Sequence, residues 1–365
     1  VVTYTYDAAG RVTKREYPSD ATVTLEYDDA GRLTEVEDGN GTWEYTYDEV
    51  GRLESVTDPM SKRVTYSYNA AGERIEMASA AGRFTYTYDE VGRLESIRNP
   101  ENERTTYTYD AAGRQVKREM ASGVVASTVY NVAGQVTLLA NKNSSGTELW
   151  NCSYQYDDAG NRTQVSETGS RTVTWTYDAA NRLTSEIRSG SPSYASTYTY
   201  DAAGNRLTHK KDGSTTTFTY DLADQLSTSV DSSGTTTYSY DEAGNQTLIL
   251  APGTDRTTFT WNDENKQTRV QKSGVDFTAE YRYDGLRYEK SESGTTTRFI
   301  FDGQNYLAET NTGGTVLVAY TVEPRTYGGL VSQRASSATK YYHYDGLGST
   351  RLLTNSSQSM TDLYI

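Results

Sequence analysis

Tyr47-Asp48-Glu49-Val50-Gly51-Arg52-Leu53-Glu54-Ser55 recurs letter for letter as Tyr88-Asp89-Glu90-Val91-Gly92-Arg93-Leu94-Glu95-Ser96. Looser copies run through the whole chain. An aromatic residue followed by Asp or Asn occurs sixteen times, mostly every 20 or 21 residues, including Tyr6-Asp7, Tyr27-Asp28, Tyr68-Asn69, Tyr109-Asp110, Tyr130-Asn131, Trp261-Asn262, Tyr283-Asp284, Phe301-Asp302 and Tyr344-Asp345. Self-similarity at a short fixed period marks a protein built by stacking one small unit that cannot bury its apolar face alone. The repeat therefore fixes the fold class before any single residue is weighed.

The unit reads as a β-hairpin. Ahead of each pair, hydroxyl and aromatic side chains alternate, as in Thr3-Tyr4-Thr5-Tyr6, and both types favour strands. A side-chain period of two puts Tyr4 and Tyr6 on one face and Thr3 and Thr5 on the other. Three residues after the Asp or Asn comes Gly in eleven units, among them Gly10, Gly31, Gly51, Gly92, Gly113 and Gly348. Asn181, Asp224, Asn265 and Asn305 take that place elsewhere, and Arg287 breaks the pattern. Gly, Asn and Asp tolerate positive φ, so D-x-x-G reads as a type I turn closed by a left-handed residue in a G1 bulge. A second turn, such as Asp38-Gly39-Asn40-Gly41, ends the following strand.

Two strands per unit give an all-β, long antiparallel hairpin ribbon of roughly 32 strands, about 150 Å of sheet at ~4.8 Å per strand. Strand twist and repeated bulges bend such a ribbon into a spiral or a hollow shell wall. This length suffices for one turn around a space ~50 Å wide and is too short to close a large cage. Longer intervals mark longer loops at Asn141 to Gly146 and at Ser189 to Ser193. The repeat changes type after residue 303, dividing the chain into a hairpin array at 1–303 and irregular repeats at 304–365. Val1 is no initiator and Ile365 falls in what reads as mid-strand, as expected of a section of a longer polypeptide.

Composition narrows the function classes. Thirty-five Lys and Arg against 49 Asp and Glu give a net charge of −14, which repels phosphate backbones and argues against nucleic-acid binding by bulk charge. The longest apolar runs, such as Val316-Leu317-Val318-Ala319, are far too short for a membrane span. Mean hydropathy is −0.75, yet 32 of 42 aromatics are Tyr. Tyr packs its ring while its hydroxyl reaches a polar partner, which suits a wall one sheet thick. Cys152 is alone, so an intrachain disulfide is impossible.

Little in the chain invites catalysis. His209 and His343 are the only histidines, too few for a zinc site or a Ser-His-Asp triad. His343 reads as a strand residue beside tyrosines, His209 as a solvated residue in a polar turn beside Lys210 and Lys211, and Cys152 as a small packed residue. Thirteen aspartates share one turn position, so turn capping explains them with a single cause. Calcium-loop and phosphate-loop motifs are absent from the sequence, and neither a cofactor nor a metal is expected. The residues singled out are thus structural: the Tyr, Asp and Gly of the repeat.

Tyr6 to Thr13, Tyr47 to Ser55 and Tyr88 to Ser96 resemble the YD-repeat or RHS (rearrangement hotspot) family. The stretches Tyr327-Gly328-Gly329-Leu330-Val331-Ser332-Gln333-Arg334 and Tyr342-His343-Tyr344-Asp345-Gly346-Leu347-Gly348-Ser349-Thr350-Arg351 look like that family's approach to its core segment. The resemblance implies a strand ribbon spiralling into a hollow shell. It also implies a secreted or cell-surface setting and a covalently linked C-terminal cargo such as a toxin. Any aspartate-dependent self-cleavage would lie past Ile365, so no catalytic residue is carried over. The alternative is an adhesion module whose exposed tyrosines bind glycans or a cell-surface partner, with repetition supplying avidity.

Overall fold

In the computed structural model, which describes residues 1–364 (the side chain of Thr254 apart), thirty-five strands run from β1 (Thr3–Tyr6) to β35 (Met360–Leu363) in one sheet. Every strand pairs antiparallel with the next in sequence, so the sheet is an uninterrupted meander. Ile365, the expected mid-strand end, lies outside the described residues.

Each hairpin has two unlike faces. In Gly41–Tyr47 and Leu53–Thr57, Tyr45 lies opposite Val56 on an aromatic face, while Thr46 lies opposite Ser55 on a hydroxyl face. The ladder slips by one residue at each aromatic-acid tip, as between Thr46 and Tyr47, and each slip is a bulge that adds twist. Repetition of the same bulge along one edge turns the ribbon into a coil.

The coil closes sooner than its length suggests. The turn after strand Val12–Glu16 meets the turn after strand Arg256–Trp261, where Ser19 N and Oγ donate to Asp263 Oδ2 at 2.8 and 2.9 Å and Asp263 N donates to Asp20 Oδ2 at 3.0 Å. Twenty-three strands therefore complete one circuit, a perimeter of about 110 Å and a width of about 35 Å. The estimate of one ~50 Å turn was too wide because it spread all the strands along a single circuit. The remaining strands begin a second winding.

That second winding lies inside the first. Along the seam, Arg15 meets Tyr283 and Arg162 meets Gly346. Fourteen strands of the outer wall separate the first members of these contacts, but only six strands separate the second. A path that subtends the same arc with fewer strands is on the inside of the curve. Its hydroxyl-face positions, polar in the outer wall, have become apolar: Ile300, Leu307, Ala308, Tyr341 and Leu352 are all buried. They pack on the aromatic face of the outer wall in three clusters, around Phe84 and Ile97, Met120 and Val124, and Trp150 and Cys152. A further cluster holds Tyr288 against Trp43, edge to face with centroids 5.5 Å apart. Face polarity thus inverts where one layer becomes two.

Three expectations are corrected. Asn141 to Gly146 is no long loop: Val136–Lys142 and Glu148–Tyr156 are longer strands joined by a tight turn, in which Asn143 N donates to Thr147 O and Gly146 N to Asn143 O. His209 is not in a turn. It sits half-buried on strand Arg206–Lys211, stacked on Tyr198 at 4.8 Å. At Phe301-Asp302 the hairpin closes through two residues, Gly303 and Gln304, with Asp302 opposite Asn305, so Asn305 is a strand residue without the left-handed role. The Ser189 to Ser193 interval does hold a loop, between Leu183–Ser189 and Tyr194–Tyr200.

Tyr288 and Glu54 occupy the same bulge position, each skipped by the ladder of its hairpin. Tyr288→Ala should cost about 3–5 kcal/mol, because it empties the contact with Trp43, whereas Glu54→Ala should stay within about 0.5 kcal/mol. Urea unfolding of the two variants against the parent checks both values.

Candidate functional site: the hairpin tips and the seam between windings

The tip of each unit is a closed network. At Asp7, the Gly10 N–H donates to Asp7 O at 3.0 Å and Asp7 N donates to Arg11 O at 2.9 Å, which defines a type I turn with its bulge. The Asp7 side chain then caps the turn, Oδ1 accepting from Ala9 N and Arg11 N at 2.9 Å. Asp28, Asp48, Asp89 and Asp110 do the same for the residue four positions on. Gly10, Gly31, Gly51, Gly92, Gly113 and Gly348 all lie at φ between 79° and 88°, where a Cβ would strain the backbone. Asp345 caps Leu347 N and Ser349 N in the last such tip.

The aromatic of the pair ties one unit to the one before it. Tyr27 Oη donates to Val12 O at 2.9 Å, Tyr47 to Leu33 O, Tyr88 to Arg74 O, Tyr109 to Leu94 O and Tyr344 to Leu330 O. Fourteen aromatics make this bond, including Trp261 through Nε1. Tyr6, in the first hairpin described, makes no such bond among the described residues and is exposed.

A further repeat residue escaped the reading of the sequence: the Arg four positions after the Asp. Arg11, Arg32, Arg52, Arg93, Arg114 and Arg182 each pair with their own Asp at 2.6–2.8 Å. Each also lays its guanidinium over the Tyr ring of the following unit, 4.6–4.9 Å from the centroid. Its signal was present in the sequence, since Arg follows Gly or its substitute in all six units. The Arg114 guanidinium holds Asp110 below the usual carboxylate range, and the Arg93 backbone N–H, ahead of its guanidinium, does so for Asp89.

One tip is displaced from its expected register, and it falls on the seam. Tyr283-Asp284 is not the aromatic-acid pair of its unit. Tyr281 donates to Gln267 O, Arg282 N donates to Leu286 O, and Gly285 supplies the left-handed residue at φ 79°. Arg282 thus stands where Asp stands elsewhere, which is why Arg287 looked like an exception. Its guanidinium lies 4.3 Å from the Trp43 ring centre in the outer wall. Asp38 of the outer wall accepts from Tyr283 N and Trp43 Nε1, while within the turn Asp284 pairs with Arg282 at 2.7 Å and its Oδ1 accepts from Leu286 N at 3.3 Å. Tyr45 and Tyr283 share a hydroxyl hydrogen bond at 2.5 Å.

Farther along, Arg74 pairs with Asp302 at 2.7 Å, Arg334 with Glu101 at 3.0 Å, and Arg351 with Glu167. His343 is fully buried between Asn141 and Thr354, inside the packed strands where the sequence placed it. Cys152 is buried, its Sγ donating to Tyr154 Oη at 3.1 Å, and burial pushes its thiol up to about 12, which suits packing and not nucleophilic attack. Among the described residues, no group of three or more His, Cys, Asp or Glu is placed to hold a metal, and no helix is long and apolar enough to cross a membrane.

A family model described as the teneurin YD-shell matches residues 1–81 and 161–308, well over half of the chain, and an RHS repeat model matches 88–125. The chain belongs to the YD-shell family. Among curated proteins it is 34% identical over 105 residues to the tRNA3(Ser)-specific nuclease WapA of Bacillus spizizenii, and 34% over 108 residues to the tRNA nuclease WapA of Bacillus subtilis. Each match covers 27% of this chain and 4% of the relative. Among solved structures, TcdB2-TccC3 matches with a TM-score of 0.59 at 16% identity over 98% of this chain and 25% of that one. The Photorhabdus luminescens Tc holotoxin pore gives 0.61 at 18% identity, over 98% of this chain and 24% of that one. This likeness shows the fold, a long open strand ribbon of the YD-shell kind.

The hydroxyl bond between units gives a direct test. Tyr109→Phe, which removes the bond to Leu94 O, should destabilise the wall by about 0.5–1.5 kcal/mol, while Tyr6→Phe should leave it unchanged. The urea midpoints of the two variants should separate accordingly.

Proposed function

We propose that this chain is a section of a container wall that shelters a covalently linked C-terminal effector until delivery. A structural shell role follows from the family; the enclosed cargo, and an exported or cell-surface setting, belong to this proposal. The observation that carries it is the inward second winding, which turns the aromatic face of the ribbon toward the enclosed space and leaves the hydroxyl face outside. The hydroxyls of the paired tyrosines are spent on backbone carbonyls, so the wall offers a passing chain few free polar anchors. A surface of that kind favours containment over tight binding.

The partial coverage of the relatives fits a wall section. The chain spans about 4% of the curated nucleases and about a quarter of the solved toxin chains. Nuclease activity, in this reading, resides in a linked cargo domain, and the wall itself is not an enzyme. The division at residue 304 is then one of repeat type within the inner winding, because the strand ladder crosses it without a break between Asp302 and Asn305.

Proteolysis of the full-length protein tests the proposal. The segment downstream of the wall should survive protease while the wall is folded and be cut rapidly once a chaotrope opens it. Equal cleavage of that segment in both states would overturn the container reading.

A further inference from the structure

The contact between the windings includes a buried histidine that the hairpin network does not use. His343, on strand Ala338–Tyr344 of the inner winding, is 0% exposed. Its Nδ1 lies 2.6 Å from Asn141 Oδ1 of the outer wall, 202 residues away, and its Nε2 lies 2.9 Å from Thr354 Oγ1 on the neighbouring inner strand. In the neutral ring Nδ1 donates to the Asn141 carbonyl oxygen and Nε2 accepts from the Thr354 hydroxyl, so every polar atom is satisfied. Asn141 is itself buried, and it lines a cavity of about 600 Å³ between the layers together with Arg118 of the outer wall and Glu323 and Asp345 of the inner winding.

The surroundings are hostile to a second proton on the ring. From the outer wall, Arg118 donates to Tyr342 O at 2.5 Å, and its charge opposes another cation nearby. Cys152, also from the outer wall, is buried and neutral. Glu167 pairs with Arg351 of the inner winding, and Glu323 pairs with Arg325 at 2.6 Å. Asp345 accepts from its own turn, and Tyr341 and Tyr344 are neutral phenols. The nearby carboxylates are thus already engaged. Burial first, and the Arg118 charge second, push His343 down to about 3.

We propose that His343 is an acid-sensitive clasp: protonation of its ring releases the inner winding, from strand Ala338–Tyr344 onward, from the outer wall at Asn141. The direction follows from linkage. A histidine whose pKa is depressed by docking supports the docked state above its undocked value near 6.5, and that support drains away as pH falls through 6.5 toward 3. The released ring takes up one proton, and its Nδ1 and Nε2 then donate to water.

Hydrogen exchange on the intact protein, corrected for the intrinsic pH dependence of exchange, reads the clasp. Between pH 7.5 and 5.0, amides of residues 338–355 should lose about thirty-fold in protection. Amides of residues 206–240, in the single-layer wall, should show no such change. His343→Gln, neutral throughout, should abolish the pH dependence. Asn141→Asp, which places a carboxylate against Nδ1, should reverse it, so that residues 338–355 are better protected at pH 5.0 than at 7.5. A flat parent profile, or a loss in His343→Gln equal to that of the parent, would overturn the proposal. An Asn141→Asp profile identical to the parent would do the same, and it decides the matter even where His343→Gln fails to dock.

Discussion

A tyrosine hydroxyl donating across a bulge to the carbonyl of the preceding hairpin is the interaction on which this wall depends. A meander one sheet thick has no opposing layer to bury its side chains, and an isolated hairpin is at best marginally stable. The hydroxyl bond joins hairpin to hairpin at the point where the bulge frees a backbone carbonyl from the ladder. In six units the arginine of the tip covers the ring of the next unit and neutralises the aspartate that caps its turn, so a single constellation closes the turn, holds the bulge and links the units. Its energy is modest at each tip and acts through repetition, as expected of a protein stabilised by nearest-neighbour contacts.

Bulges placed always at the same edge also give the wall its curvature, and curvature creates the second problem: a ribbon that closes on itself must seat its next winding somewhere. The inner winding solves this by inverting polarity. Where the outer wall carries Thr46 and Ser55 on its hydroxyl face, the inner strands carry Ile300, Ala308, Tyr341 and Leu352. The aromatic face of the outer wall, half-exposed in the single-layer stretch that includes Tyr198, Phe218 and Tyr238, becomes a buried core wherever that apolar layer covers it. Arg282 in place of a tip aspartate marks the seam, since its guanidinium, paired with Asp284, lies over Trp43 of the other winding and Asp38 of that winding accepts from Tyr283 N.

Several departures from the sequence reading share this origin. Tyr283-Asp284 has the letters of a tip, but the adjacent Tyr281 and Gly285 have the spacing, and only the hydrogen bonds distinguish them. Asn141 to Gly146 has the composition of a loop, yet Asn141 and Lys142 are drawn into a longer strand because both neighbouring strands pair with them, Ala126 and Val125 on one side and Trp150 and Glu148 on the other. The arginine of the tip was legible in six units, directly after the Gly or Asn of the turn. Its stacking on the ring of the next unit is a contact that spacing along one hairpin does not reveal.

The order of letters alone determined the hairpin, its turn type, its two faces and the all-β ribbon, because all of these arise within some twenty residues, where side-chain period and positive-φ tolerance leave few choices. Tertiary structure alone decided where the ribbon closes, which winding lies inside, and which residues face each other across some 180 to 270 positions. Those outcomes are set by the sum of many small bends, and no local pattern records a sum.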